Sequence, residues 1–448
     1  MTIAEKAMQM LESLPLCDHC LGRQFALLGH GVENNDRGRA IKLSLVLQAS
    51  DFYQSKNPEG LRNLKILANN GFSREAIETL RHLKRRALKR GQPCFLCEDK
   101  FQLLESLVSK ALEEITGYEY TTFLVGIELP IAVEEREDEF RATFGVGYGE
   151  SIRHEFGRLL GKRLEAQTGK LAEYRTPDLV IIINPFAESF KVQVNPLFIA
   201  GRYRKLVRNI PQSKWFCSAC WGKGCERCGW TGKLYPESVE ELVSKPLLEE
   251  AEGQKTSFHA SGREDIDARM LGNGRPFAVE VARPRKRFLD LRKLKEVINL
   301  GAQGKIEVSN LRVAGKDSVR RLKKAESTQK EYRLLVEFES DVPDQHLRLL
   351  EEKLSNAVIK QQTPLRVLHR RADLTRERYI YEVKVKKVSP RTVEMQIRCQ
   401  GGLYVKELVS GDEGRTTPSV SGLLGNRAKP LRLDVLSVIM ESVREVKK

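Results

Sequence analysis

Apolar residues recur every three or four positions through the first hundred residues of the chain. This spacing predicts amphipathic helices in IKLSLVLQASDFYQ and in SREAIETLRHLKRRALKR. The opening stretch, MTIAEKAMQMLESLPL, predicts a further amphipathic helix, and its acidic residues are not those of a signal peptide. We therefore expect residues 1–99 to form a helical N-terminal region.

The pattern changes after residue 100. A helical segment, FQLLESLVSKALEEI, is followed by strand-like runs, TTFLVGIELP and DLVIIINPF, which predict an α/β or α+β region over residues 100–212. This region ends in the basic run GRYRKLVRNIPQSK. There Tyr203, among cationic residues, suits a phosphate backbone with a base to stack on. A solvated sheet rim is the alternative interpretation.

Residues 236–448 are dominated by long alternating segments. FAVEVARP, YRLLVEFES, YIYEVKVKKV, TVEMQIRCQ and LRLDVLSVIM predict strands, and DQHLRLLEEKLSNAV predicts an amphipathic helix. These elements indicate a mixed, mostly antiparallel sheet with helices. The whole chain is thus predicted to be a multidomain α+β protein.

Composition narrows the range of functions. Hydrophobic residues make up 41% of the 448 positions, which argues against wholesale disorder. Lys and Arg number 76 against 60 Asp and Glu, so the net charge of +16 favours a polyanionic partner such as nucleic acid, with simple solubility as the alternative. Apolar runs such as LVIII at 179–183 are strand-sized, so we expect a cytoplasmic protein without membrane spans.

Eight of the nine cysteines form four C-x-x-C pairs, a spacing typical of metal ligands in a reducing compartment. The second two pairs lie close together in residues 213–235, and their intervening glycines permit the chain reversals of one structural Zn²⁺ site. The first two pairs are distant in sequence, so they form one Zn²⁺ site only if the fold joins them. Packing cysteines and redox pairs are the alternatives there. The predicted ligands are Cys17, Cys20, Cys94 and Cys97 in the first site, and Cys217, Cys220, Cys225 and Cys228 in the second.

Two basic insertions precede predicted strands. GKDSVRRLKKAESTQK carries Arg320, Arg321, Lys323 and Lys324, and TPLRVLHRRADLTRER carries Arg366, His369, Arg370, Arg371, Arg376 and Arg378. Basic loops that flank a cleft would grip phosphates and make binding depend on salt. Solvated charged faces on ordinary connections are the alternative.

The charged segment SGREDIDARMLGNGRPF holds the principal candidate for chemistry. An ionised Asp265 beside a cation is a competent nucleophile or base, although a structural Arg–Asp turn would explain the tetrapeptide GRED alone. Tyr332 at a strand start and Lys406, which we place in a strand opened by two glycines, would complete an active site. We expect Glu264 and Asp267 to be structural partners of Arg263, Arg269 or Arg275.

Three motifs taken together, SGREDIDARMLGNGRPF, KEYRLLV and GGLYVKELVSGDEGRTTPSVSGLLG, resemble the Pus-ten family of archaeal and eukaryotic tRNA pseudouridine synthases. GRED departs from the GRTD of related branches in one residue. The resemblance covers most of the chain. It implies an N-terminal zinc-knuckle region (1–99), a THUMP-type RNA-binding region (100–212), a four-cysteine knuckle (213–235) and a synthase domain (236–448).

The resemblance also implies roles for residues. Asp265 would be the nucleophile, Tyr332 would lie against the target base, and Lys406 would pair with the aspartate. Residues 312–330 resemble the forefinger loop and 363–378 the thumb loop of the family. The implied substrate-binding residues are Arg320, Arg321, Lys323 and Lys324 from the first insertion, His369, Arg370 and Arg371 from the second, and Arg263, Tyr404, Val405 and Leu433.

The implied reaction is isomerisation of uridine to pseudouridine in the TΨC arm of tRNA, at position 54 and probably also at 55. No organic cofactor is implied, because the reaction needs no outside group, and a monomer is expected. The alternative kept is a noncatalytic zinc-containing tRNA-binding protein. Another THUMP-bearing enzyme would need a methyl-donor or ATP site, and the sequence has no motif for either.

Overall fold

The structure is a computed structural model, and it describes residues 2–85, 91–323 and 328–440. The chain divides into two compact units, Met1–Asn195 and Pro196–Lys448. Within the described ranges, every helix is too short or too polar to cross a membrane.

The first unit begins with the helices that the apolar spacing predicted. Its first helix starts at a capping box in which the Thr2 side chain accepts from the Glu5 backbone and the Glu5 side chain accepts from the Thr2 backbone. The helices of this unit are α1 (Ile3–Ser13), α2 (Asp18–Gly22), α3 (Asn34–Gln54), α4 (Pro58–Asn69), α5 (Arg74–His82), α6 (Leu104–Ile115), α7 (Ile131–Thr143) and α8 (Ile152–Thr168).

A four-stranded sheet completes the first unit. Its strands are β1 (Thr122–Ile127), β2 (Leu171–Ala172), β3 (Leu179–Asn184) and β4 (Ser189–Val194), in the order β2-β1-β3-β4. β1 runs parallel to β2 and β3, and β4 is antiparallel to β3. Helices α6 and α8 pack on this sheet, where alternate side chains of β3 (Leu179, Ile181 and Ile183) are fully buried. The unit therefore mixes helices and strands, as predicted.

The second unit is built on one large mixed sheet. Its strands are β5 (Leu197–Lys205), β6 (Lys255–Ala260), β7 (Arg269–Ala282), β8 (Ile306–Ala314), β9 (Thr328–Phe338), β10 (Ala357–Gln362), β11 (Thr375–Ser389), β12 (Thr392–Gln400), β13 (Thr416–Thr417) and β14 (Ala428–Met440). The order is β13-β10-β11-β12-β9-β14-β7-β5-β8, and β6 also pairs with β7. The accompanying helices are α9 (Val239–Glu250), α10 (Leu291–Gly301), α11 (Lys316–Lys323), α12 (Asp344–Leu354), α13 (Val405–Ser410) and α14 (Val420–Leu424).

One strand lies in a different region from the one predicted. The sequence analysis placed residues 197–205 in the THUMP-type region, which it ended at 212. In the structure β5 pairs with β7 and β8 inside the second unit. The side chain of Tyr203 is fully buried there, so it is not available to stack on a base, and the prediction for this residue is wrong.

The sheet topology brings distant motifs together. β14 lies between β7 and β9, parallel to the first and antiparallel to the second. Its register places Val435 opposite Tyr332 and Asp434 opposite Arg269. The strand that bears the candidate tyrosine therefore lies on one side of β14, and the strand that follows Asp265 lies on the other.

Two predicted local structures differ from those observed. Lys406 was placed in a strand, but it is the second residue of the short helix α13. The insertions at 312–330 and 363–378 were expected to be loops. The first contains the end of β8, helix α11 and the start of β9, and the second contains a 3₁₀ turn, Leu365–Arg370. The predicted contact Lys324 lies outside the described residues.

Candidate active site

The segment that carries Asp265 joins β6 to β7, and a buried lysine holds its main chain. Lys205 donates from Nζ to the carbonyl oxygens of Asp265 (3.0 Å) and Ile266 (3.2 Å), and to that of Ile210 (2.9 Å). Burial lowers the pKa of Lys205 to about 8. The sequence alone held no sign of this role, because the lysine lies 60 residues away on β5.

A second buried group fixes the residue next to Asp265. Glu264 pairs with Arg275, with 2.8 Å between Oε2 and Nε, and both side chains are almost completely buried. The Tyr203 hydroxyl donates to Glu264 Oε2 (2.9 Å), and Gln212 Nε2 donates both to the Tyr203 hydroxyl (2.7 Å) and to the Gly262 carbonyl (2.9 Å). Glu264 is thus structural, as expected, and its partner is one of the three arginines proposed.

The Asp265 side chain turns away from this network toward two cations. Its Oδ2 lies 3.2 Å from Lys406 Nζ, and its Oδ1 lies 3.3 Å from Arg366 Nη1. Burial by itself would raise the pKa of Asp265, but the charges of Arg366 and Lys406 outweigh it and lower the pKa below its usual value. The carboxylate is therefore ionised at neutral pH and remains 33% exposed.

Lys406 bridges two carboxylates. Besides Asp265, its Nζ lies 2.8 Å from both carboxylate oxygens of Asp267. We expected Asp267 to pair with an arginine, but its partner is this lysine. Helix α13 begins at Val405, shortly after the turn at Gly401 and Gly402, and carries Lys406 in its first turn.

Arg366 is the second cation; it was named in its basic insertion but was not among the predicted site residues. Its Nε donates to Glu407 Oε1 at 2.5 Å, and Glu407 is buried. Burial would lower the pKa of Arg366, but the hydrogen bond and charge of Glu407 raise it. Glu407 therefore orients a permanent positive charge toward Asp265. No local signal separates Arg366 from the four other arginines between 363 and 378.

Asp265 lies in the wall of a cavity of about 820 Å³. The predicted residues that line it are Arg263, Asp265, Tyr332, Arg370, Arg371, Tyr404, Val405, Lys406 and Leu433. The cavity is also lined by Trp215 and Lys330, and by Arg366, Arg376 and Arg378 of the second basic insertion, which were not among the predicted site residues. Cations thus surround an opening with an apolar wall at Leu433 and Val435, which suits a nucleoside with its phosphates.

Tyr332 faces this cavity from β9 and is largely buried. Burial raises the pKa of its phenol above the usual value, so the hydroxyl stays protonated at neutral pH. Lys330, two residues earlier, is buried on the same face, and burial lowers its pKa to about 8. The tyrosine can therefore offer a flat ring and a neutral hydroxyl to a bound base.

Four predicted substrate contacts are not among the described residues that line the cavity. Arg320, Arg321 and Lys323 lie on helix α11, where Arg320 pairs with Asp317 at 2.8 Å. His369 lies on the 3₁₀ turn beside Arg370. Whatever role these residues have lies outside the immediate pocket of Asp265.

Known proteins resemble both units. The family model "Pus10, C-terminal" matches residues 198–439, and "Pus10 THUMP domain, archaeal" matches residues 107–184. A protein of Methanocaldococcus jannaschii named tRNA pseudouridine synthase Pus10 is 45% identical, covering 96% of this chain and 93% of that protein. A protein of the same name from Methanothrix thermoacetophila is 41% identical, with the same coverage of each chain. The chain belongs to the Pus10 family.

Membership in the Pus10 family, the Pus-ten family of the sequence analysis, makes this chain an isomerase of the pseudouridine synthase type, as predicted. Among solved structures, a Cbf5-Nop10-Gar1 complex matches 53% of this chain and 48% of that chain, with a TM-score of 0.30 and 16% identity. At that TM-score we draw no argument from the likeness. The family assignment rests on the sequence matches alone.

The first unit of this Pus10-family chain joins the two distant cysteine pairs. The sulfurs of Cys17, Cys20, Cys94 and Cys97 all lie within 4.8 Å of one another, and three of these four residues are buried. Cys17 caps α2, since its sulfur accepts from the Cys20 amide at 3.4 Å, and the Cys17 amide donates to the Cys94 sulfur at 3.3 Å. Four converging free thiols suit one tetrahedral metal ion.

The second group lies between β5 and α9 in the sequence. The sulfurs of Cys217, Cys220, Cys225 and Cys228 also lie within 4.8 Å of one another. Backbone amides of Gly224 and Gly232 donate to Cys220 and Cys228, both at 3.2 Å. Amide donors stabilise thiolates, so this group too can hold a metal ion.

Proposed function

We propose that this chain isomerises uridine to pseudouridine in tRNA, in the TΨC arm at position 54 and also at 55, with Asp265 as the nucleophile. The single observation that carries the proposal is the ionised Asp265 carboxylate, placed between Arg366 and Lys406 in the wall of a nucleoside-sized cavity. Relatives named tRNA pseudouridine synthase Pus10 support tRNA as the substrate.

The reaction breaks the N1–C1′ glycosidic bond, turns the uracil and joins C5 to C1′, while the proton lost from C5 is balanced by the one gained at N1. No redox change or external group is required. The target uridine must leave its stack to enter the cavity, at a cost of about a few kcal/mol. Arg370, Arg371 and Arg376, which line the cavity, would offset this cost by contacting the neighbouring phosphates.

Within the cavity each side chain has a separate task. Asp265, kept anionic by Arg366 and Lys406, would form the transient bond to the nucleoside, at the sugar or at the base. Tyr332 would stack against the uracil, and Leu433 would support the base on the apolar wall. Because the Tyr332 phenol stays protonated, we assign it hydrogen-bond donation at the ribose.

The test is pseudouridine mapping on an unmodified tRNA transcript. Asp265→Asn should reduce the single-turnover rate by at least about 10⁴-fold, because the variant loses the nucleophile but little volume. Asp344→Asn is the matched control, since Asp344 is exposed, pairs with Lys387 and does not line the cavity. Pseudouridine formed by Asp265→Asn at the rate of the control would refute the assignment.

We propose that each cysteine group holds one structural Zn²⁺. Four thiolates saturate a tetrahedral ion, so neither site would offer an open position for chemistry. We also propose that the enzyme is a monomer and that it is located in the cytoplasm.

A further inference from the structure

The four-cysteine segment presents more aromatic surface than its fold requires. The chain contains three tryptophans, and all of them, Trp215, Trp221 and Trp230, lie in or beside this segment. Trp221 is 81% exposed, Trp230 is 73% exposed, and Phe216 is 54% exposed. Side chains this exposed add little to a hydrophobic core, so packing does not explain them.

The backbone conformation of Trp221 and Trp230 also indicates that core packing does not explain these residues. Trp221 has a φ of 51° and Trp230 a φ of 62°, in the left-handed region that glycine adopts without strain. Such outliers persist where the surrounding structure enforces them, and they cluster at ligand-binding positions. The segment places glycine at neighbouring left-handed positions, Gly222 and Gly229, yet carries a bulky ring at these two.

The backbone of the four-cysteine segment is closely packed around the residues that bear the aromatic rings. The Cys217 amide donates to the Gly232 carbonyl (2.8 Å), and the Leu234 amide donates to the Trp215 carbonyl (3.0 Å), so the two ends of the segment form a short hairpin. A side-chain carbon at Gly224 would lie only 2.8 Å from the Trp230 carbonyl oxygen. The two turns that bear Trp221 and Trp230 are therefore held in fixed positions relative to each other.

Trp215 connects this segment to the active site. It lines the cavity that contains Asp265, and the Arg263 guanidinium lies 5.6 Å from its ring centroid. Its other neighbour is Tyr235, edge-on at 5.8 Å. One residue at the start of the cysteine segment is therefore part of the wall that a bound nucleotide would contact.

Cations alternate with the rings. Lys214, Lys223 and Arg227 are exposed in the same segment, and Lys214 Nζ lies 4.9 Å from the Phe216 ring centroid. Exposed rings interleaved with cations are the surface that binds unpaired nucleotides, because each base has a face to stack and each phosphate a charge to neutralise. A net charge of +16 on the chain favours the same partner.

We propose that Trp221 and Trp230 form a stacking platform for unpaired nucleotides of the substrate RNA that flank the uridine turned out into the Asp265 cavity. The segment then has a role in binding beyond the clamp that four cysteines provide. Extrusion of the uridine deprives its neighbours of a stacking partner, and the tryptophan rings replace that partner. This inference rests on the proposed function, because it takes RNA as the substrate.

The test measures binding without turnover, with the Asp265→Asn chain and an unmodified tRNA transcript. In that background Trp221→Leu/Trp230→Leu should weaken binding about 5- to 150-fold for each base that no longer stacks. Trp221→Phe/Trp230→Phe should retain most of the affinity because it keeps flat rings. Phe288→Leu is the matched control, since Phe288 is 62% exposed in the same unit and does not line the cavity.

A second measurement needs no variant at the platform. In a Trp215→Phe chain, tryptophan emission reports only on Trp221 and Trp230, so bound RNA should quench it and shield it from acrylamide. Acrylamide quenching unchanged by bound RNA, or equal affinity of the leucine variant and its parent, overturns the proposal. Rings that serve a protein partner would give this result.

The two proposals fail in different ways. No tRNA binding by the parent, or no pseudouridine from the chain with Asp265 intact, overturns the proposed function and this inference with it. Normal binding and turnover by the parent, with unchanged affinity in the leucine variant, overturns the stacking platform alone.

Discussion

At the scale of the residue, the site depends on how one carboxylate is kept ionised while partly buried. Asp265 has two cationic neighbours on different segments, Lys406 on α13 and Arg366 on the 3₁₀ turn. Lys406 is shared with Asp267, and Arg366 is shared with Glu407. Each cation is therefore held by a second carboxylate and does not depend on Asp265 for its position.

Removal of either cation should alter the pH dependence of the reaction. Both lower the pKa of Asp265, so Lys406→Met or Arg366→Met should raise it. Since the proposed nucleophile is the Asp265 anion, the loss of rate on acidification should begin at a higher pH than in the parent, with a roughly 10²-fold lower rate at neutral pH from misplacement. Single-turnover rates measured across pH would check this. Arg391→Met, which removes an exposed arginine paired with Asp341, should leave the profile unchanged.

The buried pair beneath the site should contribute to stability. Glu264→Gln removes one charge of the Glu264–Arg275 pair and leaves the guanidinium buried without a counter-charge. We expect a loss of roughly 3–5 kcal/mol in the free energy of unfolding of the second unit. Denaturant titration is the measurement. Glu339→Gln, at an exposed carboxylate, should change the same free energy by no more than about 0.5 kcal/mol, and equal values for both variants would contradict the prediction.

At the scale of the element, regular patterns were predictable and long-range partners were not. The alternation of YRLLVEFES and TVEMQIRCQ identified β9 and β12, because each has one buried face. GGLYVKELV is too short for its period to separate helix from strand, so Lys406 was misplaced. β5 was assigned to the wrong region because its burial comes from β7 and β8, which lie far along the chain.

Because long-range partners are not visible in the sequence, only some of the site residues could be predicted. Asp265 and Tyr332 were selected through motifs, whereas Lys205 and Glu407 reach the site through residues that lie 60 and 41 positions away in the sequence. Arg366 was hidden in a run of similar residues. Composition indicated a cationic surface, but only the fold selects which cation meets the carboxylate.

Helix α11 gives a test at this scale. Arg320→Gln/Arg321→Gln/Lys323→Gln removes three exposed charges outside the cavity. If α11 binds the RNA backbone, the salt dependence of tRNA binding should weaken, with the logarithmic slope falling by about 0.9 for each phosphate that these cations neutralise in the parent. The single-turnover rate at saturating protein should be unchanged. An unaltered slope would mean that these side chains are solvated and neutralise no phosphate.

At the scale of the whole molecule, each unit has its own group of four cysteines. The first group lies among the buried residues of its unit, and the second closes an exposed segment beside the catalytic cavity. Loss of metal should therefore affect the two units differently.

Elemental analysis should find two zinc ions per chain. Cys94→Ser should reduce the count to one and destabilise the first unit, because a buried metal site contributes directly to folding. Cys225→Ser should also leave one ion but keep the first unit intact, with tRNA binding weakened. A count of zero in the parent would contradict both metal sites. Equal destabilisation of the first unit in both variants would contradict the expectation that only the first site stabilises that unit.

The position of β14 in the sheet has a consequence for how the enzyme is made. Among the described strands this one is the last in chain order, yet it lies in the interior of the sheet, between β7 and β9. During synthesis on the ribosome, β7 and β9 are made before β14. Each of them has an unpaired edge until β14 is added between them. Asp265 and Tyr332 are therefore brought together only after β14 has joined these two parts of the sheet.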